Sequence, residues 1–172
     1  MQYRKNIYDK IYNILIFIPI LSYALGFYFN ENSAGIGGYA GDSDWIRKNI
    51  EIFITNSLKD AIIHPDLFGN RTPLIYIINK YLNPFFGEFE KYRTSVFFFS
   101  LLGSIFLFKI LKIKFSEVDN KILFFVSSFV YLSPYYRTSA YWGLNENYGI
   151  ISGIISLYLI ETFIRSEKKK YT

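Results

Sequence analysis

This sequence predicts an all-α, polytopic membrane fold, and three observations predict it. Residues 11–29 read IYNILIFIPILSYALGFYF, a run without a single charged side chain. A helix rising 1.5 Å per residue needs about 20 mostly apolar residues to cross a hydrocarbon layer of about 30 Å, and this run meets that need. Three further apolar stretches follow at 94–113, 122–136 and 148–164, so four transmembrane helices are expected. Finally, Lys and Arg are distributed unevenly. Arg4, Lys5, Lys10, Lys109, Lys112, Lys114, Lys121, Arg165, Lys168, Lys169 and Lys170, 11 of the 19 basic residues, fall in the short segments on one side of the expected spans. The positive-inside rule then places both termini in the cytoplasm and residues 30–93 outside.

Composition agrees with a bilayer as solvent. The chain has 172 residues, of which 51% are hydrophobic and 21% aromatic, and it has no cysteine, which excludes disulfides and thiolate metal sites. The net charge of +5 is explained by the cytoplasmic flanks and calls for no nucleic acid partner.

The elements follow in order. The first span has a basic front but no A-x-A cleavage site after it, so it reads as an uncleaved anchor. The loop at 30–93 is too long to be structureless. Within it, Ile46, Ile50, Phe53, Ile54, Leu58, Ala61 and Ile62 recur at helical spacing, which predicts an amphipathic helix over 44–62 lying on the membrane surface, apolar face down. A second helix is predicted from Thr72-Pro73, with Thr as cap and Pro in the first turn, ending before Pro84. A third start after Gly87 feeds the second span. Residues 30–41 are glycine-rich but lack a P-loop lysine and a preceding strand, so a phosphate loop is excluded. The third span is the shortest: its 15 residues, interrupted by Pro134, give about 22 Å of helix.

The candidate chemistry lies in the outer segments. Asp42 and Asp44 sit just beyond the first span. A carboxylate there can act as general base toward a hydroxyl, the pair can hold a divalent cation, or Asp42, Ser43 or Asp44 can simply cap the next helix. His64 is the only histidine, in HPD, where a helix stop competes with a functional role. Arg71, before a helix start, and Arg137, at the outer end of the third span, can each grip a phosphate or snorkel to headgroups. Glu146 opens the fourth span and either complements the helix dipole or lines a cavity with Arg137. Tyr135, Tyr136, Tyr141, Trp142 and Tyr148 read as an interfacial aromatic belt, with a sugar-contacting role also open.

Three segments carry a resemblance: GDSDW (Gly41 to Trp45), NRTPLIYIINKYL (Asn70 to Leu82) and SPYYRTSAYWGLNENYG (Ser133 to Gly149). In their order along the chain they resemble the N-terminal part of GT-C-type membrane glycosyltransferases, in the bacterial branch related to protein mannosyltransferases and lipopolysaccharide sugar transferases. The resemblance implies a polyprenyl-phosphate sugar as donor, an inverting transfer to a glycan or lipid acceptor, and a multi-pass protein of the bacterial inner membrane. It implies that Asp44 is catalytic, with Asp42 second. Family members usually carry more spans, so a truncated or split enzyme is expected, completed by a second membrane subunit or a missing C-terminal part. The alternative is a small non-enzymatic membrane protein that binds a lipid-linked glycan or partners a larger transferase.

Overall fold

The computed structural model describes residues 14–32, 41–67 and 73–170. These residues are all-helical, with no strand among them. Two helices are long and apolar enough to cross a membrane. In chain order the α-helices are α1 (Ile18–Tyr28), α2 (Ser43–Thr55), α3 (Leu58–Ile62), α4 (Leu74–Leu82), α5 (Phe89–Lys114), α6 (Asn120–Ser128), α7 (Pro134–Tyr141) and α8 (Asn145–Lys170). A 3-10 turn, Phe129–Leu132, continues α6.

The two long helices, α5 and α8, have 26 residues each, about 39 Å of helix. They run parallel: Phe99 meets Tyr148, Phe106 meets Tyr158, and Lys114 Nζ pairs with Glu161 Oε1 at 2.6 Å. Helix α1 runs against α5, since Phe27 stacks on Phe97 at one end while Tyr23 bonds Ser100 further along. Helix α6 also opposes α5, with Phe124 against Phe108 and Tyr131 donating to the Leu101 carbonyl. Leu157, Leu159, Ile160, Phe163 and Ile164 of α8 are exposed, an apolar flank that favours hydrocarbon over water.

Two of the expected spans are interrupted. The first is helical at 14–15, turns at 16–17 and becomes regular only from Ile18. Pro19 supplies the reason: it has no N–H to donate and its ring clashes with the carbonyl four residues earlier. The third gives an α-helix only to Ser128, tightens into the 3-10 turn, and restarts at Pro134 after Ser133, whose side chain caps α7 by accepting from the Tyr136 N–H. By length these two are short apolar helices.

The expected helix over 44–62 is two helices. It breaks at Asn56, and Ser57 caps α3 by accepting from the Asp60 N–H. Its apolar face also turns out differently. Ile46, Ile50 and Phe53 are buried in the protein core, and Phe53 stacks on Tyr76 of α4; Ile54 and Ile62 stay exposed. Protein covers this face, because a polar net fastens α2 and α4 over the head of α8. Asn49 and Asn145 both donate to the Tyr76 hydroxyl, and Tyr148 donates to Asn79 Oδ1. Asn83 ties α4 to α5 through Ser95. Helices α2 to α4 thus close one end of the bundle, the capped end. Lys114 and Glu161 mark the other.

The belt reading also fails for most of its members. Tyr136, Tyr141 and Trp142 are core residues, and Tyr135 alone of the group is strongly exposed. Tyr23 lies at the centre, stacked on Phe97 and Tyr131. The buried hydroxyls of Tyr136 and Tyr141 each find a backbone partner, as burial demands. Tyr141 donates to the Tyr23 carbonyl at 2.6 Å, and Tyr136 donates to the Ser100 carbonyl. That last bond needs Gly103, since a Cβ there would collide with the Tyr136 hydroxyl.

Candidate functional site

The capped end gathers the chemistry, and the end of α1 begins it. Asn30 has φ 55°, the left-handed conformation in which Asn is well tolerated. The Asn30 N–H bonds the Phe27 carbonyl and the Glu31 N–H bonds the Gly26 carbonyl, the paired pattern of a Schellman motif. This reversal folds Glu31 back along the helix. It also points the Asn30 side chain to α5.

Glu31 meets Arg137. The guanidinium has five N–H donors, and all five are used. Nε donates to Glu31 Oε1 at 2.8 Å and Nη2 to Glu31 Oε2; the others reach Ser22 Oγ, the Ser22 carbonyl and the Tyr131 carbonyl. Burial pulls the Arg137 pKa down, but the bond to Glu31 and the neighbouring Tyr141 more than reverse this, so the net shift is upward. The approach is close enough that a Cβ on Gly26 would lie 2.5 Å from Arg137 Nη2 and 2.6 Å from the Tyr141 hydroxyl. Arg137 has no donor left for a phosphate and none directed at Glu146. It is a strut between α1 and α7.

Beside the strut a cleft of about 590 Å³ opens, lined by Asn30, Asn32, Arg47, Glu90, Arg93 and Trp142. Arg93 is buried between Phe27 and Trp142, and Arg47 lies over the Phe89 ring. Trp142 lines this cleft, but its indole N–H is committed to the Glu31 carbonyl and its face to Arg93.

The other expected residues are placed as follows. Asp44 is exposed in the first turn of α2, one helical turn before Arg47. Asp42 precedes that helix, half-buried, and its side chain makes no capping hydrogen bond. Two residues apart on a helical path, Asp42 and Asp44 point about 200° away from each other rather than to a shared point. Among the described residues no three His, Cys, Asp or Glu side chains gather as a metal cage. His64 lies elsewhere, lining a separate cavity of about 790 Å³ with Trp45, Lys48 and Glu51, and its Nδ1 accepts from the Asp66 N–H at 3.2 Å. Glu146 is in the first turn of α8. Arg71 lies outside the described residues.

Sequence reasoning missed Arg47, Arg93, Asn30 and Glu31. One signal was present. Asn directly after an apolar helix is a common left-handed C′ residue, and it marks where the chain turns back. Comparison of the chain with protein-family models, curated proteins and solved structures gave no match.

Proposed function

We propose that the chain is a membrane glycosyltransferase, or a piece of one, that moves a sugar from a polyprenyl-phosphate donor to a glycan or lipid acceptor at the capped end. The observation that carries this is the position of Asp44: an exposed carboxylate one turn from a cleft lined by two arginines. Asp44 takes the proton from the acceptor hydroxyl, whose oxygen attacks the anomeric carbon. The bond from that carbon to the phosphate oxygen breaks with inversion, and polyprenyl phosphate leaves. The alternating directions of α1, α5, the α6 segment and α8 are compatible with four passes; under the transfer reading these lie in a bacterial inner membrane, with both termini on the cytoplasmic side by the positive-inside rule and the capped end outside.

A second reading has its own support. Asp42 diverges from Asp44, so at most one carboxylate serves as base, and a protein that only binds a lipid-linked glycan, or partners a larger transferase, needs none. Asp44→Asn separates the two. Asn keeps the shape but loses the basicity, so under the transfer reading the rate falls by about 10²–10⁴. The assay follows sugar transfer from a polyprenyl-phosphate donor in membranes lacking the native enzyme. Transfer by Asp44→Asn at the wild-type rate removes Asp44 from the mechanism. No transfer by the wild type, even with partner subunits supplied, favours the binding reading.

A further inference from the structure

Arg93 is 8% exposed, yet among the described residues its guanidinium makes one hydrogen bond and its buried Nε makes none. Its guanidinium sits 5.2 Å from the Phe27 ring centre and 4.7 Å from that of Trp142, which fixes its plane. Nη2 donates to Asn30 Oδ1 at 2.6 Å. Nε lies 3.4 Å from Glu90 Oε2 but, among the described residues, makes no hydrogen bond although it is buried. A buried donor in this state is costly unless something fills the place before it. Asn32 contributes a second unsatisfied buried atom, its Oδ1, to the same cleft.

We propose that this cleft binds a phosphate group, held by Arg93 and Arg47. A planar guanidinium presents parallel N–H donors that match two phosphate oxygens, and stacking between two rings orients that edge in advance. Arg47 adds a second cation from α2. Among the described residues Glu90 is the one carboxylate on the wall, so their charges sum to about +1, and Glu90 is exposed enough to turn into water when an anion takes its place. Asn32 Oδ1 accepts from a P–OH or from a hydroxyl on the esterified group. The proposal deepens the transfer reading by naming what the cleft grips, and rests on it only for the sugar; phosphate binding and sugar transfer fail independently.

The chain has two tryptophans, so Trp45→Phe leaves Trp142, in the cleft wall, as the only indole. The full chain carrying that change, in an uncharged maltoside detergent, is titrated with dodecyl phosphate and separately with inorganic phosphate while Trp142 emission is followed. A saturable change is expected, with affinity about tenfold or more weaker in Arg47→Gln and in Arg93→Gln, and unchanged in Lys48→Gln, which lies outside the cleft. A response to dodecyl phosphate alone assigns the site to a lipid headgroup; an equal response to both assigns it to phosphate itself. If Arg93→Gln fails to fold, the exposed Arg47→Gln carries the test. No saturable change with either probe, or equal changes in Arg47→Gln and Lys48→Gln, overturns the proposal. Phosphate binding without sugar transfer overturns only the transfer reading.

Discussion

Arg137 and Arg93 lie at the same end of the bundle, both buried, both stacked on aromatic rings, and both joined to the reversal that ends α1. Arg137 spends all five donors on its own chain, two of them on the Glu31 carboxylate. Arg93 faces a neutral amide, a loosely placed carboxylate and open space. Burial alone therefore says little about what a charged side chain is for. Counting its donors does: a saturated guanidinium is a structural tie, and an unsaturated one held rigid beside a cleft is prepared for an anion.

The largest effect expected from this contrast is on stability. Glu31→Ala leaves the Arg137 charge buried without its counterion, which should cost about 3–5 kcal/mol, toward the lower end because the Glu31 side chain is about a third exposed. Arg93→Gln keeps a donor for Asn30 and should cost less than half as much. Thermal unfolding of both variants in the same detergent decides the matter. Equal losses would erase the distinction between tie and site.

A somewhat smaller effect is expected at the crossing that lets the strut form. Gly26→Ala places a methyl group against Arg137, Glu31 and Tyr141 at once, and should cost about 1–3 kcal/mol through overpacking. Gly149→Ala and Gly153→Ala meet open space on α8, and Ala is the better helix former, so neither should destabilise the protein. If Gly26→Ala melts with these two, the close packing around Arg137 is not what fixes α1.

The helices were legible in the sequence where local chemistry decides them. The 3.6-residue rhythm of Ile46, Ile50 and Phe53, the Pro73 start and the apolar run of α5 need no partner to be read. What covers each face is not local. The pattern at Ile46 and Ile50 is the same whether lipid or protein lies beneath it, and only the net through Asn49, Tyr76 and Asn145 settles the choice. The site was half legible. Arg137 stood out as a charge beside an apolar segment, but its partner Glu31 is 106 residues away, and no spacing rule links them. Nothing in the sequence singles out Arg93, because the rings that trap it come from α1 and from the turn after α7. Pro19 was in plain view, and its effect on the first span follows from its missing N–H and the clash of its ring.

The subtlest test would turn one arginine into the other. Asn30→Asp keeps nearly the same shape and, like Asn, tolerates the left-handed conformation at that position. It replaces the neutral acceptor of Arg93 with a carboxylate, so Arg93 acquires the kind of partner Arg137 already has. Charge-assisted bonding strengthens that contact, while the extra negative charge must be held partly away from water, so the net stability change should lie within about 1 kcal/mol. The functional consequence should be larger than the structural one. The lining changes from net positive to neutral, and the donors that would meet a phosphate turn toward the new carboxylate. The Trp142 response to dodecyl phosphate should weaken at least as much as in Arg47→Gln, with the melting temperature nearly unchanged. A variant that binds phosphate as well as the wild type would show that the free donors of Arg93 are not what the anion uses, and would make Arg93 a second tie.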